Sequence, residues 1–309
     1  MHGMHARLPV NFVLEERLER YADAIEISPT SYRGRWAEAC WPLGDAAPGD
    51  WPDGIAGSTV EPGGWPALRK TLARLGEDEA AQTLHHAAAF REVRVDLGCG
   101  KGAFIIESAQ REPDVLFVGV DAEPLCIAYT AQHIMEAGIR NAVAVPAAGN
   151  ALPRIFAPGE VACIYLNFPT PYPRKREAAK RLVALERLFE YRDILATGGT
   201  IRLRTDSQPL RDFYLTQLKL AGYRVVHLSE DERTAHPDDP ASEYELRLVA
   251  QGAQVLSVWA TPGPGPAPEH VVQTASLSLV DYLPDDLFAG RYVPHGMQQT
   301  IVNLRNRKR

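Results

Sequence analysis

A short apolar run, Val93–Leu97, leads directly into the glycine-rich stretch Asp96-Leu97-Gly98-Cys99-Gly100-Lys101-Gly102. The apolar run predicts a buried β-strand, and the residues after the stretch have helical spacing. Glycines at this point allow a sharp turn and let a ligand approach the backbone without meeting a Cβ atom. The stretch therefore predicts a strand–turn–helix unit whose turn binds a ligand.

Further short runs rich in β-branched residues follow, and most of them alternate with amphipathic helical stretches. The predicted strands are Val93–Leu97, Val115–Val120, Ala142–Val145, Val161–Leu166, Thr200–Arg204, Arg224–Leu228 and Gln254–Ala260. Strands separated by helices indicate βαβ units and a mostly parallel sheet. We expect an α/β fold: a doubly wound, Rossmann-like, seven-stranded sheet with helices on both faces. The last two strands should be joined by a loop rather than a helix, and the last should insert antiparallel.

Composition shifts divide the chain into three predicted parts. Residues 1–90 are predicted to form an irregular and partly helical N-terminal extension, and residues 91–260 are predicted to form the α/β domain. Residues 261–309 begin with the linker Thr261–Pro268, rich in proline and glycine. They end in a basic tail, Arg305 to Arg309.

The composition also excludes several classes of protein. The chain has 309 residues, a net charge of −6 and no apolar run long enough to span a bilayer. Its four cysteines are far apart, which indicates reduced thiols and a cytoplasmic protein rather than a disulfide framework. The nine histidines lack metal-ligand spacing, so no metal site is expected.

The glycine-rich turn is consistent with two kinds of nucleotide ligand. Gly98, Gly100 and Ala103 fit the loose dinucleotide pattern G-x-G-x-x-G/A, so these glycines alone are weak support for either. Asp96 directly before the turn, and a third glycine at Gly102, complete the pattern D-x-G-x-G-x-G and favour S-adenosylmethionine. Asp96 would accept hydrogen bonds from the cationic amino-acid part of that cofactor. A turn that binds no ligand is the remaining alternative.

Two further residues are candidates for cofactor binding. Asp121 ends the second strand, 21 residues after Gly100, where an acid suits ribose hydroxyl groups. Asn150 follows the third strand, where an amide can both donate to and accept from an adenine ring. Equally, Asn150 could simply cap the next helix.

The most distinctive stretch follows the fourth strand. Two prolines bracket Thr170, and Tyr172 is followed by a basic cluster that includes Arg174, Lys175 and Arg176. Residues 174–181 contain five cations and one acid, a local charge of +4. Basic residues beside an aromatic ring at a predicted ligand edge indicate contact with RNA phosphates and an unstacked base. The alternative is a solvated basic face.

At this point the chain resembles the bacterial-type tRNA (guanine-N7-)-methyltransferases. Phe168-Pro169-Thr170-Pro171-Tyr172-Pro173-Arg174-Lys175-Arg176-Glu177 is similar to the family motif F-P-D-P-W-x-K-K-R-H. Thr205-Asp206 matches the pair after the fifth strand, and Ser242-Glu243-Tyr244-Glu245-Leu246-Arg247 resembles its T-x-F-E-x-R loop. The resemblance covers about residues 91–260. It extends weakly to Arg33-Gly34-Arg35 and Trp41-Pro42.

The resemblance implies a methyltransferase-type sheet, the cofactor S-adenosylmethionine and the substrate tRNA, in a cytoplasmic monomer or homodimer. Asp96, Asp121 and Asn150, with the loop glycines, would bind the cofactor. The target guanosine would be bound by the residues Tyr172, Arg174, Lys175, Arg176, Asp206, Ser242, Tyr244 and Glu245. Thr170 and Asp206 are the predicted catalytic residues, although Asp206 or Ser207 could instead cap a helix.

The chain also departs from the family motif. Thr170 replaces an aspartate, Tyr172 a tryptophan, Arg174 a lysine and Glu177 a histidine, and Asn150 replaces another acid. Three alternatives follow: a methyltransferase for a small metabolite, a tRNA-binding relative without turnover, and an NAD-dependent oxidoreductase. Against the oxidoreductase, the sequence shows no obvious set of catalytic acid and base residues of a dehydrogenase.

Overall fold

The computed structural model describes residues 12–37, 90–139, 141–283 and 292–307. Cys40, Trp41-Pro42, the last two residues and most of the predicted N-terminal extension lie outside these ranges. The division of the chain into three parts stays a prediction.

The described residues form a seven-stranded sheet with the order β3-β2-β1-β4-β5-β7-β6. Strands β1 to β5 are parallel, and β7 lies antiparallel between β5 and β6. This confirms the predicted fold class and the antiparallel last strand. The strands are β1 Glu92–Leu97, β2 Val115–Asp121, β3 Ala142–Pro146, β4 Val161–Asn167, β5 Leu195–Thr205, β6 Tyr223–Ser229 and β7 Leu256–Pro262.

Helices cover both faces of this sheet. In β2, Val115 and Phe117 belong to one apolar cluster and Leu116 and Val118 to another, so alternate residues face opposite layers. The helices are α1 Leu14–Arg20, α2 Ala103–Arg111, α3 Pro124–Glu136, α4 Leu152–Ile155, α5 Leu185–Ile194, α6 Gln208–Leu220, α7 Glu232–Ala235, α8 Glu243–Ala250 and α9 Gln298–Arg307. Within the described ranges, every helix is too short or too polar to span a bilayer.

Two details of the prediction were wrong. Strand β5 begins at Leu195, directly after α5, rather than at residue 200. The connection between β6 and β7 contains α7 and α8, whereas a loop was expected. Both helices have a side-chain cap, because Asp231 accepts from the backbone N–H of Thr234 and Ser242 from that of Glu245.

Segments from both ends of the chain pack onto the α/β core. Ile25 forms a parallel bridge with Ala144 of β3, and Trp36 is completely buried in the cluster beneath α4 to α6. In the C-terminal extension, Met297 and Ile301 enter the same cluster. The chain after β7 therefore returns to the sheet, where it reaches the edge at which the parallel strands end.

Candidate functional site

The glycine-rich turn has the backbone shape that its sequence predicts. Gly98, Gly100 and Gly102 have φ angles of +81°, +57° and +82°, a region that residues with side chains rarely adopt. A Cβ atom on Gly102 would lie 2.9 Å from the Thr130 side chain, whereas one on Gly100 would meet nothing within 4 Å. The turn thus packs tightly against α3 on one side and is open at Gly100.

Asp96 is a buried acid at the end of β1. Its side chain accepts a hydrogen bond of 3.1 Å from the Asn167 amide at the end of β4. The pKa of Asp96 is raised to about 7, mainly by burial, which outweighs the lowering effect of the Asn167 hydrogen bond; the neighbouring charge of Asp121 contributes a smaller increase. A buried carboxyl group with so little stabilisation of its charge is suited to a cationic ligand.

Asp121 fixes the turn to the second strand. Its Oδ2 accepts from the Gly100 N–H at 3.0 Å, and its Oδ1 accepts from the Glu123 N–H at 2.9 Å. Burial raises the pKa of Asp121 as well. Asn150 is exposed in the 3₁₀ turn Gly149–Ala151, just beyond the end of β3. The N-cap of α4 is Ala151, so the capping alternative for Asn150 is wrong.

The loop after β4 is held in a strained conformation. Phe168 and Tyr172 have φ angles of +50° and +44°, which are unusual for aromatic residues. The Phe168 N–H donates to the Arg204 carbonyl at 2.8 Å, which ties this loop to β5. Thr170 is exposed between its two prolines. Strain of this kind is concentrated at binding and catalytic sites.

The basic cluster after this loop is divided between surface and interior. Arg174, Lys175 and Arg176 are exposed, as an RNA-binding role requires. Arg181, which was counted with them as a phosphate ligand, is completely buried, so this part of the prediction is wrong. Its guanidinium group donates to the carbonyls of Pro171, Tyr172 and Leu277. Arg181 therefore holds the strained loop against the C-terminal extension.

Leu182 brings the basic cluster and the cofactor turn together. A Cβ atom on Gly149 would lie 2.8 Å from Cδ2 of Leu182, and one on Gly98 would lie 3.8 Å from its Cδ1. The Leu182 carbonyl also accepts from the Tyr191 hydroxyl in α5 at 3.0 Å. The two motifs are thus parts of one surface at the carboxyl edge of the sheet.

Asp206 lies at the end of β5 and does not cap α6. Ser207 is the cap residue, and its Oγ accepts from the Leu210 N–H. The Oδ2 atom of Asp206 accepts two hydrogen bonds from the C-terminal extension: 2.6 Å from the Tyr292 hydroxyl and 2.7 Å from the His295 N–H. Sequence reasoning missed this contact, because nothing local to Tyr292 indicates which distant residue it meets.

The predicted substrate loop forms the beginning of α8. The Ser242 Oγ caps the helix at 3.0 Å from the Glu245 N–H. The Tyr244 ring lies between Phe168 and His295, with ring centroids 5.8 and 5.3 Å away. Burial raises the pKa of Tyr244, and the charge of Asp206 raises it further. Tyr244 therefore joins the loop after β4 to the C-terminal extension.

Glu245 is buried rather than presented at the surface. Its Oε1 accepts from the Arg233 Nε at 2.9 Å, and its Oε2 lies 3.8 Å from the Arg204 guanidinium. Arg204 is the residue whose carbonyl accepts from Phe168. In this structure, Glu245 supports the arginines behind the loop after β4.

The similarity to known proteins covers the α/β part of the chain, which contains this site. A family profile described as "Putative methyltransferase" matches residues 91–258. The tRNA (guanine-N(7)-)-methyltransferase of Geobacillus kaustophilus is 35% identical over 164 residues, 53% of this chain and 76% of that protein. The protein of the same description from Lactiplantibacillus plantarum is 34% identical over 162 residues, 52% of this chain and 76% of its own. This chain belongs to the tRNA (guanine-N(7)-)-methyltransferase family. A solved structure described as "Structure of an antibiotic related Methyltransferase" aligns with 60% of this chain and 92% of its own at a TM-score of 0.43 and 21% identity.

Family membership implies a methyl-donor cofactor, and the residues present fit S-adenosylmethionine. The backbone at Gly100 is open, because an added Cβ there would enter free space. Beside it, Asp96 is a buried acid suited to a cationic group, and Asp121 lies at the end of the next strand. Adjacent strand ends therefore offer an acid for the amino group of the cofactor, an acid for its ribose and an open backbone that it can approach closely.

Proposed function

We propose that this chain transfers a methyl group from S-adenosylmethionine to N7 of a guanosine in tRNA. The packing of Leu182 against Gly98 and Gly149 supports this proposal most strongly. Because Leu182 adjoins the basic cluster, this packing supports a single surface that combines the glycine-rich turn with the basic cluster, which a methyltransferase for a small metabolite would not need. The names of the related proteins favour the same reaction.

In the proposed complex, the cofactor lies along the carboxyl edge of the sheet. Asp96 would bind its amino group, Asp121 its ribose, and Asn150 its adenine. Because the loop glycines carry no Cβ atom, the cofactor would approach the backbone of the turn closely. Bound there, S-adenosylmethionine supplies the methyl group, and guanine N7 accepts it through a lone pair, so no general base is required.

The chain contributes to this reaction by position and charge. The methylated base becomes cationic, so a nearby carboxylate favours the product-like charge. Thr170 offers only a dipole where the family motif has an acid. Asp206, whose Oδ2 is held from the C-terminal extension, would supply negative charge and contact the guanosine. Glu245 would act as a positioning residue through Arg204 and Arg233.

The exposed cations beyond the loop would bind the RNA backbone. Arg174, Lys175 and Arg176 lie on the surface, and the Lys180 ammonium group lies 5.8 Å from the centre of the Tyr172 ring. Tyr172 is half-buried and would stack on the unpaired base. The acidic remainder of the chain limits non-specific binding to nucleic acid. We propose a cytoplasmic enzyme that acts as a monomer or homodimer.

A methyl-transfer assay tests this function. Purified chain is incubated with S-adenosylmethionine labelled in its methyl group and, in parallel, with unmodified tRNA or a pool of small metabolites. We expect label in the tRNA only. Label in the metabolite pool alone would contradict the proposal, as would tRNA binding without any transfer of label.

A further inference from the structure

Two histidines and one glutamate meet near the end of β6. This cluster consists of His227 on β6, Glu232 at the start of α7, and His236 directly after α7. One ligand atom from each residue lies within 4.8 Å of the other two. Glu232 and His236 are four residues apart, a spacing that places side chains on one face of a helical turn. His227 comes from the neighbouring strand, so its sequence spacing gave no indication of the cluster.

Glu232 has an unsatisfied oxygen atom in the protein interior. Its side chain is 1% exposed, and its Oε2 lies 2.7 Å from the His227 Nε2. No hydrogen-bond donor among the described residues reaches its other oxygen, Oε1, which is also buried. A buried carboxylate oxygen without a partner is costly, and a cation beside it would remove that cost.

The donor set identifies the kind of cation. Two imidazole nitrogens and one carboxylate oxygen suit zinc, whereas calcium and magnesium prefer oxygen atoms alone. Ligands of a tetrahedral zinc ion at about 2.0–2.1 Å lie about 3.3 Å apart. The present separations, 2.7 Å for one pair and within 4.8 Å for all three, bracket that value.

We propose that His227, Glu232 and His236 bind one zinc ion. The fourth position is left to water, since three protein ligands meet there. The indole ring of Trp259 packs against His227 at 4.4 Å between centroids and forms an apolar wall of the site.

The position of the cluster indicates a structural role for the ion. Arg233 follows Glu232 directly, and it donates to Glu245 and to the carbonyls of Pro237 and Asp239. An ion that joins α7 to β6 would therefore fix the chain that leads from His236 to α8. This inference concerns the stability of that connection, and its test is independent of methyl transfer.

The test uses full-length chain without a polyhistidine tag, freed of metal by chelator and dialysed against zinc chloride. We expect one zinc ion per chain by elemental analysis. His236→Ala and Glu232→Gln should each weaken binding about 100-fold or more, because the first removes one of three ligands and the second removes the negative charge of another. His270→Asn is the matched control: His270 is exposed, lies outside the cluster and has a φ of +54°, which asparagine tolerates.

One spectroscopic and one thermal measurement complete the test. Cobalt(II), used in place of zinc, should give the intense visible absorption of a four-coordinate site in the native chain and the control only. Zinc should raise the melting temperature of the native chain but not of His236→Ala. Less than one bound ion per chain at saturating zinc, or full binding that survives both substitutions, would overturn the proposal.

Discussion

The Tyr292 hydroxyl donates a 2.6 Å hydrogen bond to the Oδ2 of Asp206, a residue 86 positions earlier in the chain. The His295 N–H donates to the same oxygen. Asp206 directly follows β5 at the proposed methyl-transfer site, while Tyr292 belongs to the C-terminal extension. The extension therefore helps to set the orientation of the carboxylate that we assign to the guanosine.

Replacing Tyr292 by phenylalanine should lower turnover. The hydroxyl group is lost while the ring remains, so Asp206 keeps its charge but loses one of the two donors that orient it. Hydrogen bonds to charged groups contribute about 1.5–3 kcal/mol, so we expect kcat for tRNA to fall about tenfold or more. The dissociation constant for S-adenosylmethionine, measured by calorimetry, should not change.

Tyr282→Phe provides the control for that experiment. Tyr282 lies in the same extension, but its hydroxyl donates to the Ser276 carbonyl. We expect this variant to keep the native kcat. If Tyr292→Phe were as active as the native chain, or more active, an orienting role for Tyr292 would be excluded.

Thr170→Asp should raise the rate of methyl transfer. The position is exposed and lies between two prolines that fix its backbone, so an acid fits without repacking. A carboxylate there would favour the positive charge that develops on the guanine, and we expect a several-fold to tenfold gain in the single-turnover rate of methyl transfer. Single-turnover rates measure this effect, with Thr170→Asn as the neutral control. An equal gain in the asparagine variant would show that charge is not responsible.

Cofactor affinity should depend on the charge of Asp96. Because burial raises its pKa to about 7, the free folded chain retains a proton there below that pH. Binding of a cationic amino group requires the carboxylate, so affinity should be full above pH 7 and fall about tenfold per pH unit below it. In the folding equilibrium, the same raised pKa favours the native state below pH 4, and this contribution is lost as the pH rises through 7.

Calorimetric titrations between pH 5 and 8 measure this dependence. Asp96→Asn should bind S-adenosylmethionine weakly and with little pH dependence over that range. A native chain whose affinity is the same at pH 5.5 and pH 8 would contradict the assignment of Asp96 to the cofactor.

Arg181→Met should destabilise the whole chain. Arg181 is buried and donates to three carbonyls, which would be left without those bonds. We expect the free energy of unfolding in urea to fall by about 2–5 kcal/mol. Arg174→Met, at an exposed position of the same cluster, should change it by less than about 0.5 kcal/mol. Similar losses in both variants would show that Arg181 has no special structural role.

Local sequence patterns predicted most of the sheet correctly. The strands β1 to β4 start within one residue of their predicted positions, because β-branched runs such as Val115–Val120 are buried on both faces. The sharp turn at Gly98, Gly100 and Gly102 was also predicted correctly, since its positive φ angles favour glycine. The α8 helix was missed even though its Ser242 and Glu245 have the spacing of a capping box.

Contacts between distant segments could not be predicted. Neither the burial of Arg181 nor the meeting of His227 with Glu232 follows from residue type, because a basic cluster and a scattered histidine usually lie on the surface. The placement of Tyr292 on Asp206 depends on where the C-terminal extension docks. Only the folded chain shows such contacts.

The position of the transferred methyl group is the most direct test of the proposed function. Unmodified tRNA is incubated with the chain and S-adenosylmethionine, treated with borohydride and then aniline, and the fragments are sequenced. We predict cleavage at a guanosine, dependent on the chain and lost or greatly reduced in Asp206→Ala, whose affinity for S-adenosylmethionine should be nearly unchanged. Methylated tRNA that resists this cleavage, or cleavage that is equally efficient with Asp206→Ala, would contradict the account.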